Sequence, residues 1–148
     1  MQIYINYASI DGHNLELAEF LQAQFDKTNS VSLGSCSPQT LTKLKPGNLL
    51  ILVPATYGSG EIAAPGLTMY QALSKWQGQD VYFWVLGIGD QGYGDDFCQA
   101  VLTFDQALAQ TGARRLQSPL LLDYELDQAN EELVCQQLNH LKEVLANE

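Results

Sequence analysis

The hydrophobic pattern of this chain changes period several times. From Gln2 to Ala8 the residues are almost continuously apolar or aromatic, as in a strand covered on both faces. A small polar turn follows, Ser9 to Asn14. Apolar positions then recur at helical spacing from Leu15 through Ala18, Phe20, Leu21 and Phe25, ending near Lys27. Val31 to Cys36 alternates weakly and carries Ser and Gly, which predicts a thin edge strand. Ser37-Pro38 opens a short helix over Gln39 to Leu44, which Lys45-Pro46-Gly47 closes. Asn48 to Ala55 is a second buried strand. Behind it come a loop, Thr56 to Glu61, and a helix from Leu67 to Gln77 that Gly78 ends. Val81 to Gly87 is a third buried strand, followed by a long loop, Ile88 to Asp95. The next helix, Asp96 to Thr111, has Asp95 and Asp96 as candidate caps. Arg115 to Asp123 reads as the last strand, on an edge because Pro119 lacks the N–H a ladder needs. Asp127 to Leu145 is the closing helix.

Five strands alternate with five helices, which predicts a doubly wound α/β fold with a five-stranded parallel sheet. The strongly apolar strands are the first, third and fourth. The order 2-1-3-4-5 puts the weak ones outside. In that topology ligands bind beyond the C-terminal strand ends, where the winding reverses.

The length, 148 residues, suits a single domain over residues 1–148, with 46% hydrophobic residues to build its core. There is no apolar run of membrane-spanning length and no secretory signal, so the expected location is cytoplasmic. Three cysteines, Cys36, Cys98 and Cys135, without CxxC spacing, argue against both a disulfide framework and a zinc site. The net charge is −10, with only seven Lys and Arg. Nucleic acid is thereby excluded as a partner, and a basic protein is favoured.

The loops after the first, third and fourth strands share one rim. In the first, Ser9 and Asn14 offer polar side chains and Gly12 allows a close turn. The loop has no Lys or Arg, so any anion there is held by N–H groups and the helix end. Taken alone, the same loop is explained as a capped helix with Asp11 at the cap. The second loop, Pro54 to Gly60, sets Tyr57 beside Gly58. The third, Gly87 to Asp95, sets Tyr93 between glycines. Each tyrosine is poorly placed for a core and well placed to stack on a planar ligand. Together the loops outline a pocket for a flat ring with a phosphate tail.

These loops resemble those of flavodoxins of the short-chain type, close to the small flavodoxin-like proteins that stand alone in bacteria. The family's phosphate loop, S/T-x-T-G-x-T, reads here Ser9-Ile10-Asp11-Gly12-His13-Asn14. Its Thr-aromatic-Gly loop reads Thr56-Tyr57-Gly58. Its fourth-strand loop reads Gly89-Asp90, Tyr93 and Phe97-Cys98. The last strand runs on without the insertion of long-chain members. Asp11 and Asn14 replace threonines, and Tyr57 replaces the commoner Trp.

The resemblance implies an FMN-binding one-electron carrier rather than an enzyme, its chemistry carried by the cofactor. It implies a monomer serving a basic redox partner, a flavodoxin reductase or an acceptor enzyme. Ser9, Ile10, Asp11, Gly12, His13 and Asn14 would surround the phosphate. Ala55, Thr56, Tyr57 and Gly58 would meet the inner face and N5 edge of the ring. Gly89, Asp90, Tyr93, Phe97 and Cys98 would flank the outer face and the pyrimidine edge. In flavodoxins the peptide after the inner aromatic turns when the cofactor takes an electron, and Gly58 permits that turn. A rim of Asp11, Glu61, Asp90, Asp95, Asp96, Asp123, Glu125 and Asp127 would steer the partner and disfavour a second negative charge on the ring.

Two other classes compete. One is a flavodoxin-like accessory module with weak or no FMN binding, to which Asp11 speaks. The other is an FMN enzyme such as a quinone reductase, for which no second pocket is visible. A receiver domain is excluded, because Pro54-Ala55-Thr56 stands where a phosphoacceptor Asp would be. His13 and His140 read as solvated histidines.

Overall fold

Leu49–Val53 is buried at all five positions, and this strand, β3, is the centre of the sheet. The computed structural model describes every residue except Gly58, Ser59 and Pro65, and leaves out the side chains of Tyr93 and Asp95. β3 lies between β1 (Gln2–Tyr7) and β4 (Tyr82–Gly89), with β2 (Ser30–Ser35) outside β1. β5 (Arg114–Arg115) and β6 (Leu120–Asp123) both pair with β4. Every pairing is parallel, and the order is β2-β1-β3-β4-β5 with β6 attached to β4. This is the predicted α/β topology.

Successive side chains of β3 point to opposite faces of the sheet, and the core divides accordingly. On one face Leu49, Ile51 and Val53 pack with Ile3, Ile5 and Trp84. That cluster takes in Leu17 and Leu21 of α1 (His13–Ala23) and Val134, Leu138 and Leu141 of α5 (Gln128–Ala146). On the other face Leu50, Leu52, Phe83 and Val85 meet Leu41 of α2 (Pro38–Lys43) and Met69 of α3 (Gly66–Ala72). Phe104 and Leu108 of α4 (Gln99–Gln110) join the same cluster. Asp105, buried within α4, is held by a fork of two bonds from Arg115, at 2.9 and 2.7 Å.

The elements differ from expectation in three places. The last strand is not continuous. Phe83 faces Arg115 but Leu86 faces Leu120, so this side carries two more residues than β4 over the same stretch. The surplus bulges out at Gln117 to Pro119, where Pro119 has no N–H to give. Trp84 Nε1 donates to Ser118 O at 3.1 Å and pins the bulge. The helix read as Leu67 to Gln77 is α only to Ala72 and tightens to a 3₁₀ turn over Leu73–Lys75. The residue at the N-cap position of the fourth helix is Cys98, not Asp95 or Asp96. A 3₁₀ segment occupies Gln91–Asp96, and α4 begins only at Gln99 behind Cys98.

Candidate functional site

The C-terminal ends of β1, β3 and β4 open on one edge of the sheet, and a cleft of about 300 Å³ lies there. Its walls come from the loops after these strands and from the residue that follows β6.

The β1–α1 loop turns at Gly12, whose φ of 95° is in the left-handed region that glycine adopts without strain. Gly12 is the residue before α1, so Asp11 is not the N-cap in the expected sense. Its carboxylate nevertheless reaches the helix: Asp11 Oδ1 accepts from His13 N–H at 3.2 Å, and Oδ2 lies 3.8 Å from His13 Nε2. The Asp11 side chain is 69% exposed. Ser9 Oγ accepts from Gly12 N–H at 2.9 Å, so Ser9 holds the turn from behind and is not part of the cleft wall. Among the described residues nothing accepts from the N–H groups of Ile10, Asp11, Asn14 or Leu15. These free donors and the positive end of α1 make the loop anion-attracting without any cationic side chain.

Asn14 borders the cleft, but its side chain does different work from that expected of it. It is buried, and its amide donates to Ala8 O and to Pro54 O, each at 3.0 Å. Its Oδ1 accepts from Ile88 N–H at 2.9 Å. Both donors are thus spent on backbone, and what remains for a ligand is the main-chain N–H. Asn14 is a three-way tie between the ends of β1, β3 and β4.

In the second loop Ala55 and Thr56 form the cleft floor. Thr56 Oγ1 accepts from Ala100 N–H at 3.0 Å and so caps α4 from another part of the chain. Tyr57, 44% exposed, stands at the mouth, with its N–H donating to Glu61 O at 2.8 Å. A tight turn brings Gly60 against the next loop: a Cβ built there would lie 2.7 Å from Asp96 Oδ1. Gly58 falls outside the described residues.

In the third loop Gly89 and Asp90 line the cleft. Asp90 Oδ1 accepts from Gly92 N–H at 2.8 Å and caps the 3₁₀ segment. Cys98 lies at the back, with φ 51° and Sγ 3.6 Å from Gly87 O. Burial pushes its thiol up to about 12, against the smaller opposing pull of a backbone hydrogen bond with Leu122. It is therefore a protonated wall residue and no nucleophile. Phe97 is half-buried and packs on the core instead of entering the cleft. The side chain of Tyr93, the expected second aromatic face, lies outside the described residues.

Three cleft residues lie outside the expected ligand-contact set: Ile88, Asp96 and Tyr124. Ile88 is simply the inward alternation of β4. Asp96, a member of the expected acidic rim, lines the cleft itself. Tyr124 follows Asp123, whose Oδ1 accepts from Gln91 N–H at 2.9 Å and ties β6 to the third loop.

Among the described residues no three His, Cys, Asp or Glu side chains gather to hold a metal. No described helix is long and apolar enough to cross a membrane.

Comparison with known proteins agrees with this architecture. Over 126 residues the chain is 32% identical to the sulfite reductase [NADPH] flavoprotein alpha-component of Yersinia enterocolitica, covering 82% of this chain and 21% of the relative. The Shewanella oneidensis alpha-component is 33% identical over 131 residues, again covering 21% of the relative. The chain thus spans about a fifth of the length of these curated relatives. Among solved structures, flavodoxin 1 from Bacillus cereus superposes with a TM-score of 0.86 at 18% identity, covering 97% of this chain and 98% of that one. A flavodoxin from Streptococcus pneumoniae TIGR4 gives 0.81 at 24% identity over 99% of both chains. The flavodoxin family model matches residues 5–137, from within β1 to within α5, and takes in the three loops of the cleft. By sequence and by fold, the chain belongs to the flavodoxin family.

Proposed function

We propose that this chain binds FMN in the cleft and carries single electrons between a reductase and an acceptor protein. The observation that carries the reading is the β1–α1 loop: among the described residues, main-chain N–H groups without partners at the start of α1, those of Ile10, Asp11 and Asn14, border the same cleft as an exposed Tyr57. N–H groups at a helix start suit a phosphate, and an aromatic at the cleft mouth suits a flat ring. The bound flavin would supply the redox chemistry.

The chain's own residues would do the rest. Ile10, Asp11 and Asn14 would donate main-chain N–H groups to the phosphate. Tyr57 would cover the inner ring face and shed water from it. Asp90 and Asp96, both lining the cleft, would make added negative charge on the ring unfavourable. The same acidic rim would draw a basic partner to the exposed ring edge. The cytoplasm and a monomeric state fit this role.

A second reading has one observation in its favour. The Asp11 carboxylate already takes the His13 N–H, as a phosphate oxygen would. On that reading the chain binds FMN weakly and acts as an accessory module through its acidic face.

Titrating the flavin-free protein with FMN and with riboflavin, followed by flavin fluorescence, separates the two. The carrier reading expects FMN to bind about tenfold or more tighter, because charge-assisted N–H bonds to phosphate are absent for riboflavin. Equal or absent binding of the two overturns it.

A further inference from the structure

Tyr124 combines a strained backbone with an exposed ring. Its φ of 72° lies in the left-handed region, where a bulky residue is out of place. The residue is 64% exposed, although it borders the cleft. Neither property serves the fold. An exposed ring returns little of the stability that burial would give. The turn makes no use of the Tyr124 side chain: its two backbone bonds run from Tyr124 N–H to Gly89 O at 2.6 Å and from Glu125 N–H to Asp123 O at 2.9 Å, and the Asn130 amide adds a bond to Glu125 O at 2.7 Å. Glycine or asparagine would keep both bonds with less strain. A strained aromatic that the scaffold does not require, at the edge of a cleft, points to a ligand.

Its neighbours say which part of the ligand. The Tyr124 ring lies 6.2 Å from that of His13, tilted by 41°, so it stands beside the first residue of α1, where the phosphate berth is. Its backbone is fastened to Gly89, the last residue of β4. It therefore stands between the berth and the third loop.

We propose that Tyr124 is a ligand-contact residue whose ring closes the cleft on the α1 side and lies against the polyol tail of the bound flavin nucleotide. This rests on the flavin reading above. The ring would cover the tail's C–H faces, and the phenol would hydrogen-bond its hydroxyls. The left-handed backbone is what aims the ring there.

The test uses Tyr124→Gly, Tyr124→Asn and Tyr124→Phe, each titrated with FMN, riboflavin and lumiflavin, the last being the ring without a polyol tail. Urea unfolding of each flavin-free variant runs alongside. The Gly and Asn variants are expected to lose about tenfold or more in affinity for FMN and riboflavin, with lumiflavin unchanged. Their unfolding midpoints should stand at or above wild type, which a merely structural tyrosine would not allow. Phe should stay within about threefold of wild type. Unchanged FMN affinity in Tyr124→Gly and Tyr124→Asn overturns the proposal, and an equal loss for lumiflavin overturns the assignment to the tail. A wild-type chain that binds none of the three ligands overturns the flavin reading itself, and Tyr124 with it.

Discussion

Asp11 sets the character of the anion berth more than any other single residue. Its carboxylate holds the His13 N–H, and no Lys or Arg in that loop offsets it. A ligand phosphate must displace that bond or sit beside it. Two unit charges about 8 Å apart at an effective dielectric near 20 repel by roughly 2 kcal/mol. Asp11 is largely exposed, so solvent and salt reduce this to about 1 kcal/mol. Threonine would keep an oxygen acceptor without the charge. The expected outcome for Asp11→Thr is therefore FMN affinity about five- to tenfold tighter, with riboflavin affinity unchanged. The gain should shrink as salt is raised, because screening weakens the repulsion in wild type. Titration of both proteins at low and high ionic strength checks this. A gain that is the same for riboflavin would mean the charge is not the cause.

At the scale of elements, Asn14 binds strand ends together. Its three side-chain bonds span 6, 40 and 74 residues of sequence, so no local pattern reveals them. Removing the amide leaves Ala8 O, Pro54 O and Ile88 N without partners in a buried place, at roughly 1 kcal/mol or more for each. Asn14→Ala is expected to lose about 3 kcal/mol of unfolding free energy in the flavin-free protein, measured by urea denaturation. A residue that served only a phosphate would leave the flavin-free protein unchanged, so a loss below about 0.5 kcal/mol refutes the tie. The same contrast explains what could be read from the residues alone. β1, β3 and β4 were legible because strands covered on both faces must be apolar throughout, and the order of the sheet follows from which strands are not. The start of α4 was misread because Asp95-Asp96 has the local look of a cap, whereas Thr56, 44 residues from Ala100, supplies the hydroxyl. The last strand was read as one piece because Pro119 signals an edge but not a two-residue bulge. In the cleft, residue type pointed to Tyr57 and Asp90. Tyr124 was missed because its left-handed backbone is imposed by the joint of β6 to β4, and nothing in a tyrosine announces it.

The whole molecule carries a net charge of −10 and hides two of its three thiols. Those two facts act together above neutral pH. Burial pushes Cys36 up to about 12, slightly offset by a backbone hydrogen bond, and pushes Cys98 up to about 12 as well. In the unfolded chain a thiol titrates near 8.5. A group with a raised folded value stabilises fully below its unfolded value, and that contribution is lost as pH rises toward the folded one. Between about pH 9 and 12 the unfolded state releases these protons first. Each thiol then removes up to about 1.4 kcal/mol of unfolding free energy per pH unit. Tyrosines and lysines also titrate in this range, and the growing negative charge adds self-repulsion. Both effects persist when the thiols are replaced, so the comparison isolates the cysteines. Urea unfolding of wild type and of Cys36→Ala/Cys98→Ser from pH 7 to 10.5 is expected to give a shallower alkaline decline in the double variant. Its lower starting stability would not alter that difference in slope. Parallel declines would mean that the buried thiols ionise as readily in the folded protein as in the unfolded chain, and that Cys98 is open to the solvent of the cleft.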